Sequence, residues 1–378
     1  MGFSFTVLKK DSATKARLGR LTTGHGVVET PAFMPVGTLG SVKALTPRDL
    51  KEIGCGMILA NTYHLYLRPG VEVIRDLGGL HRFMGWDGAI LTDSGGYQVF
   101  SLGALRKITE EGVRFQSHLD GSSHLLTPEK VVEIQEDLGS DVAMVLDECV
   151  SHPASREYVQ DSTQRTIRWA ERSLRARKKS DQALFGIIQG GMCEDLRTEC
   201  AREMIQLPFD GFAVGGLGVG EDEATLHSMG AFAAGLLPEG RPRYLMGVGR
   251  PQDLVFAVRS GYDLFDCVLP TRNARTGTLF TSTGKINIKR AEFSRDPRPV
   301  DESCSCYCCR HFSRAYLRHL YQAGEILAAH LHTIHNINFY HQLMEGLRAA
   351  IREDNLDQVY SESRIEDSEK GRDFSSES

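Results

Sequence analysis

Eight short apolar segments recur along the chain, at residues 32–36, 57–60, 89–92, 142–146, 184–188, 211–214, 244–248 and 262–265. Each ends in small or polar residues. Between them lie stretches of helical character, such as 46–53 and 127–138, both opening on Thr-Pro, and 157–178. Strands that are apolar nearly throughout have both faces covered, and alternation with helices makes them parallel. Eight such units predict an α/β fold, a (β/α)8 TIM barrel, with its functional residues at the carboxyl ends of the strands. An open doubly wound sheet is the alternative, but no Gly-x-Gly-x-x-Gly follows the first segment.

The barrel accounts for residues 31–277. Residues 1–30 form an N-terminal β segment, with strands at 3–8 and 18–23 and a turn at Gly24-His25-Gly26. A hairpin insertion near 94–126 has strands at 114–118 and 124–126 on either side of Asp120-Gly121. Residues 278–352 begin with a second hairpin, 278–281 and 285–289, run through a cysteine cluster, and close with helices from about residue 314. This segment reads as an inserted C-terminal zinc-binding subdomain. The tail, 353–378, carries nine acidic and three basic residues, and its last part, 361–378, has the composition of a disordered segment.

The strand ends carry the chemistry. The third segment runs into Thr92-Asp93-Ser94-Gly95-Gly96-Tyr97-Gln98, the fourth into Asp147-Glu148-Cys149, and the fifth into Gln189-Gly190-Gly191. The sixth ends at Gly215-Gly216-Leu217, the seventh at Met246-Gly247-Val248-Gly249, and the eighth at Asp266, after which Pro270 stops the strand and a basic loop carries Arg272 and Arg275. A barrel converges these on one mouth. Two carboxylates can serve as nucleophile and general acid/base at a glycosidic carbon. A further Asp with Gln189 suits the edge of a nucleobase, Tyr97 and Met246 can sandwich a planar ring, and Gly pairs let a ligand approach the backbone. The same positions also serve as helix caps, a role open to Asp93 and Asp147.

Of nine cysteines, four fall within six residues: Cys304, Cys306, Cys308 and Cys309. With no secretory pattern at Met1-Gly2-Phe3-Ser4-Phe5-Thr6, such density reads as metal ligation in a cytoplasmic protein rather than a disulfide framework. Four thiolates so close cannot all reach one tetrahedral ion, so a distant histidine is expected among His311, His319, His330, His332 and His335, with the His330-Leu331-His332 pair placed on the surface. No run of eighteen apolar residues exists, so no membrane span is expected.

The net charge of −5 is misleading, because without the acidic tail the rest of the chain is at +1. Eight basic residues lie within 156–179, where Arg165, Arg168, Arg172 and Arg175 share a helix face, and eight more lie within 285–318. Local basic patches of this kind hint at a polyanion, although most charged helix faces are merely solvated.

Together these stretches resemble the tRNA-guanine transglycosylases of the bacterial type. The resemblance rests on residues 91–100 (LTDSGGYQVF), Asp147-Glu148-Cys149, 188–191 (IQGG), 214–217 (VGGL), 244–249 (YLMGVG), 263–275 (DLFDCVLPTRNAR) and the Cys304-x-Cys306-x-x-Cys309 cluster with His335-Asn336, and it covers about residues 3–350. It implies exchange of the wobble guanine, position 34, of tRNAs with GUN anticodons (Asp, Asn, His, Tyr) for 7-aminomethyl-7-deazaguanine in queuosine biosynthesis. By resemblance Asp266 is the nucleophile, forming a covalent ribosyl intermediate, and Asp93 the general acid/base. Asp147, Gln189, Gly216, Leu217, Tyr97, Met246, Ser94 and Cys149 bind the base, and Arg272 and Arg275 hold the tRNA anticodon loop. Cys304, Cys306, Cys309 and His335 hold one structural Zn²⁺ per subunit, leaving Cys308 surplus, and the assembly is a homodimer. Cys149 and Val219 resemble the branch using the aminomethyl base. Gly218, where Ala is expected, and Val150-Ser151-His152 depart from the family pattern at the mouth. A non-catalytic tRNA-binding subunit would lack one of the two carboxylates, and a metal-dependent barrel hydrolase would need His ligands at the strand ends. Neither fits.

Overall fold

The computed structural model describes residues 2–100 and 106–360; the expected disordered stretch, 361–378, lies outside them. The chain begins with β1 (Ser4–Lys10), β2 (Arg17–Thr23) and β3 (Gly26–Thr30), which form an antiparallel three-stranded sheet. The third strand was missed in the sequence because its five residues, Gly26 to Thr30, show no alternation of apolar and polar side chains. Barrel strands β4 (Ala32–Gly37), β5 (Met57–Ala60) and β6 (Ala89–Thr92) follow. An antiparallel insertion of β7 (Arg106–Ile108), β8 (Val113–Gln116) and β9 (Ser123–Leu126) interrupts them. The barrel resumes with β10 (Val142–Met144), β11 (Ala183–Ile188), β12 (Gly211–Val214), β13 (Arg243–Leu245) and β14 (Leu264–Cys267). Finally β15 (Thr278–Thr281) and β16 (Gly284–Asn287) pair as a hairpin.

The eight barrel strands close in the order β10-β11-β12-β13-β14-β4-β5-β6, all parallel, as a (β/α)8 barrel. Every residue of β5, β6, β11 and β12 is buried, which is why these strands read as unbroken apolar runs. The Thr-Pro starts work as anticipated. Thr46 accepts the Asp49 N–H while the Asp49 carboxylate accepts from Thr46, and Thr127 accepts the Lys130 N–H ahead of the helix Pro128–Leu138.

Two apolar clusters organise the packing. One fills the barrel, and the other lies between outer helices, the inserted sheet and the cysteine segment. The closing helix Ile326–Glu353 joins them, giving Leu331, Ile334 and Ile337 to the second and Tyr340, Met344, Leu347 and Ile351 to the first. At about 2 kcal/mol for each large apolar side chain removed from water, this helix fastens the cysteine segment to the barrel.

The N-terminal sheet lies against the amino ends of the strands. Arg17 of β2 is buried and donates from Nε and Nη2 to the two oxygens of Asp263, just before β14, at 3.0 and 2.6 Å. His25 reaches Asp141, just before β10, at 2.8 Å. The carboxyl ends stay open.

No described helix is long and apolar enough to cross a membrane. The basic helix expected at 157–178 spans Arg156–Ala176, but its arginines do not form a free face. Arg168 makes two bonds of 2.8 Å to Glu110, Arg172 holds Glu129 at 2.7 Å, Arg165 pairs with buried Glu148, and Arg175 pairs with Glu171 at 3.0 Å. Trp169 adds an indole bond to the Glu110 carbonyl. Arg168 and Arg172 thus fasten the inserted segment at Glu110 and Glu111 to this helix, so the row has a structural use of its own.

Candidate active site and metal centre

A cavity of about 470 Å³ opens at the carboxyl ends of the strands. Asp93, Ser94, Tyr97, Asp147, Cys149, Gln189, Gly216, Leu217, Met246, Asp266 and Arg272 all line it. Arg275 does not. Pro270 was read as stopping a strand ahead of a basic loop, yet it stands in the first turn of a helix, Leu269–Arg275, where its missing N–H costs nothing. Arg272 therefore reaches the cavity, while Arg275, one turn further on, is exposed and bonds Thr271 of its own helix.

Asp266 sits on β14 opposite Met34 of β4. The Tyr244 hydroxyl donates to its Oδ1 at 2.6 Å and the Gly247 N–H to the same oxygen at 2.8 Å. Among the described residues no donor bonds Oδ2 and no cation pairs with the group. Burial pushes this carboxyl up, against the pull of those two bonds. Burial and the neighbouring Asp266 push the Tyr244 hydroxyl well above its ordinary range, so it remains a neutral donor.

Asp93 is held differently. Asn61 and Gln98 side-chain amides donate to Oδ2 at 2.5 and 2.7 Å, and the Thr62 and Gly95 N–H groups donate to Oδ1 at 2.8 and 3.2 Å. Burial nevertheless pushes its carboxyl up to about 6, with a smaller push from Asp266. Asp147 accepts from Gln189 Nε2 at 2.7 Å, and burial pushes it too up to about 6. A carboxyl near 6 can give or take a proton around neutrality. Cys149 is a buried thiol pushed up to about 12, an uncharged wall.

Gly216 shows why the glycines matter. Its φ is +65°, and a Cβ there would come within 2.5 Å of Gln189 Oε1. The amides of the next loop are not all free for a ligand, since those of Gly218 and Val219 (the latter at 2.9 Å) donate to the Glu221 carboxylate.

Several supporting residues escaped the sequence reading. Asn61 directly follows β5, so the strand-end rule could have found it. Gln98 lay within the quoted motif without a role. Tyr244 was read only as a strand residue, although its hydroxyl reaches the mouth. Arg197, fully buried in the helix Glu194–Met204, donates to the carbonyls of Gly191 (2.8 Å), Gly215 (3.1 Å) and Gly216 (3.3 Å), fixing two glycine loops at once. Nothing in its local sequence marks it.

The ligand atoms of Cys304, Cys306, Cys309 and His335 lie within 4.8 Å of one another, while Cys308 is buried outside that set. His335 donates its Nε2–H to the Phe280 carbonyl at 2.6 Å, which leaves Nδ1 without hydrogen and facing Cys309 Sγ at 3.3 Å and Cys306 Sγ at 3.7 Å. Asn338 and the Cys309 N–H donate to the sulfurs of Cys304 and Cys306. Three sulfurs and a bare imidazole nitrogen fit a closed tetrahedral site for a thiophilic divalent ion. Of the other candidate histidines, His332 departs most from expectation. It is fully buried, donates Nδ1–H to the Ala274 carbonyl at 3.2 Å, and burial lowers its pKa to about 4.

A family model described as queuine tRNA-ribosyltransferase matches residues 11–369. A queuine tRNA-ribosyltransferase of Thermoanaerobacter sp. (strain X514) is 59% identical over 353 residues, 93% of this chain and 94% of that protein. Proteins with the same description in Solidesulfovibrio magneticus and Desulforamulus reducens are 61% identical over 340 residues (89% and 91% covered) and 55% identical over 356 (94% and 96%).

Proposed function

The chain belongs to the queuine tRNA-ribosyltransferase family, enzymes that are pentosyltransferases acting on tRNA guanine, and on that premise we propose how its own residues divide the work. Asp266 Oδ2 attacks ribose C1′ of the wobble guanosine, the C1′–N9 bond breaks, and the leaving guanine takes the proton held by Asp93. In the second half Asp93 accepts the N9 proton of the incoming base as that nitrogen attacks C1′ and releases the Asp266 carboxylate. Each displacement inverts C1′, so the anomer is retained overall. The observation that carries this reading is the bonding of Asp266, a half-buried carboxylate on the cavity wall with one oxygen fixed by two neutral donors and the other open. Asp93, pushed up to about 6, suits both directions of proton transfer.

Asp147, Gln189 and the Gly216–Leu217 backbone hold the base by its edge, Tyr97 and Met246 take its faces, and Ser94 and Cys149 complete the wall. The incoming base is 7-aminomethyl-7-deazaguanine, and the substrates are GUN-anticodon tRNAs for Asp, Asn, His and Tyr. Arg272 at the mouth, with Arg275 beyond it, meets anticodon-loop phosphates. The Cys304–Cys306–Cys309–His335 set holds one zinc ion per chain, which when bound staples the segment and takes no part in the displacement. The active assembly is a cytoplasmic homodimer. Incorporation of labelled guanine into unmodified tRNA tests the activity: wild type takes up label, 7-aminomethyl-7-deazaguanine chases it out, and Asp266→Ala takes up none. Uptake by Asp266→Ala would remove Asp266 from the chemistry.

A further inference from the structure

Asp266 depends on two loops, the end of β14 and the segment after β13 that supplies the Gly247 N–H. Both are gripped from behind by one face of the closing helix. His332, Asn336 and Tyr340 stand at successive intervals of four on that helix and are buried, although each carries polar atoms. Each donates to a backbone carbonyl of the mouth. His332 Nδ1–H meets Ala274 and Asn336 Nδ2–H meets Pro270 at 3.0 Å, so the two hold opposite ends of the helix Leu269–Arg275, which begins three residues after Asp266. The Tyr340 hydroxyl meets the Gly249 carbonyl, in the loop that holds Gly247.

Asn336 is the junction. It also donates to the Thr278 carbonyl at 3.1 Å and accepts the Phe280 N–H at 3.1 Å. The preceding residue, His335, takes the Phe280 carbonyl with Nε2–H and turns Nδ1 toward the cysteine sulfurs. Both polar groups of one backbone residue are thus bonded by two consecutive side chains, one belonging to the metal set and the other to the seam. An apolar face would bury the same area without desolvating amide, imidazole and hydroxyl groups, so what the polar seam adds is a defined position.

We infer that His332, Asn336 and Tyr340 are positioning residues that set the two loops around Asp266, and that Asn336 passes the order of the Cys₃His centre to them. The kinetic consequence rests on the function proposed above; the structural one does not. The test compares the full-length, metal-loaded chain with Asn336→Ala, Tyr340→Phe and, as a control on the exposed side of the same helix, Gln342→Ala. Metal content, amide hydrogen exchange and base-exchange kinetics are read on each. Asn336→Ala keeps one ion per chain, speeds exchange at 264–278 by about tenfold or more with β5 and β6 unchanged, and lowers kcat by about tenfold with KM for the base within about twofold. Tyr340→Phe shows a smaller acceleration confined to 246–252, and Gln342→Ala matches wild type. Chelating the ion speeds exchange at 264–278 in wild type but adds little in Asn336→Ala. Unchanged exchange at 264–278, uniform acceleration across the barrel, or loss of the ion in Asn336→Ala would each overturn the inference. If Asn336→Ala does not fold, Tyr340→Phe decides by the same local readout. A wild type without base exchange would sink the functional reading while leaving the exchange result to judge the seam.

Discussion

Asp263 and Asp266 lie three residues apart, one just before β14 and fully buried, the other near its carboxyl end and half-buried at the cavity, and the barrel treats them in opposite ways. Asp263 receives two bonds from the buried Arg17 guanidinium and a third, 2.7 Å long, from the Arg243 N–H. Burial raises its pKa, and the Arg17 charge pulls it back. Asp266, half-buried, is also raised by desolvation but has neutral donors only, both on one oxygen. One carboxylate has a completed set of partners and locks the N-terminal sheet to the barrel. The other has an incomplete set and faces a cavity. The residue type and the stretch of chain are shared, so the difference lies in whether the protein supplies the partners itself or leaves that to a ligand.

Exchanging the two roles is the sharpest way to break this comparison. Asp266→Asn lowers base exchange by about 10⁴-fold or more without lowering the urea midpoint, since it removes a partly desolvated charge that no cation compensates. Asp263→Asn does the reverse: it leaves Arg17 buried without its counter-charge, lowers stability by about 3–5 kcal/mol in urea titration, and spares the displacement chemistry of whatever remains folded. A drop in stability in both variants, with activity unaffected in either, would erase the distinction.

Asp147 extends the comparison to a second carboxylate without a cation among the described residues. Its folded pKa is about 6 against an ordinary 3.8, so the folded state binds a proton that the unfolded chain has released between those values. That contribution to stability is full below pH about 4 and is lost as pH rises through about 6. Asp147→Asn therefore stabilises the free protein by up to about 3 kcal/mol at pH 8 and by almost nothing near pH 4, measured as urea midpoints across that range. A pH-independent difference would mean the carboxylate is not the origin. The smallest effect concerns cations. Arg272 lines the cavity and has no carboxylate partner among the described residues, whereas Arg175 is paired with Glu171. Arg272→Ala raises KM for tRNA by about tenfold and lessens its salt dependence, while Arg175→Ala stays within about twofold.

The sequence showed the barrel well because burial on both faces writes itself into a strand as an unbroken apolar run; β5, β6 and β12 were legible to the residue. It showed which side chains gather at the mouth, because a parallel barrel brings all strand ends to one face. It placed Asp266 at a strand end but did not show what holds Asp263, since Arg17 is 246 positions away and only the closed fold brings it to Asp263. The ion pairs of the arginines on Arg156–Ala176 were hidden for the same reason, as Glu110, Glu129 and Glu148 lie outside that helix. Pro270 misled for a local one. A proline that ends a strand and a proline that opens a helix look alike until the chain beyond it is known to turn. His332 belongs with the distant cases, because its acceptor at Ala274 lies on another helix.

The most direct test of the contrast between the two aspartates is to incubate the enzyme with wobble-guanine tRNA without any incoming base, quench in denaturant, and map the ribosylated peptide by mass spectrometry. The account predicts a covalent adduct on Asp266 that disappears when 7-aminomethyl-7-deazaguanine is added before quenching. An adduct on Asp93 or Asp147, or base exchange proceeding with no trapped adduct at all, would contradict it.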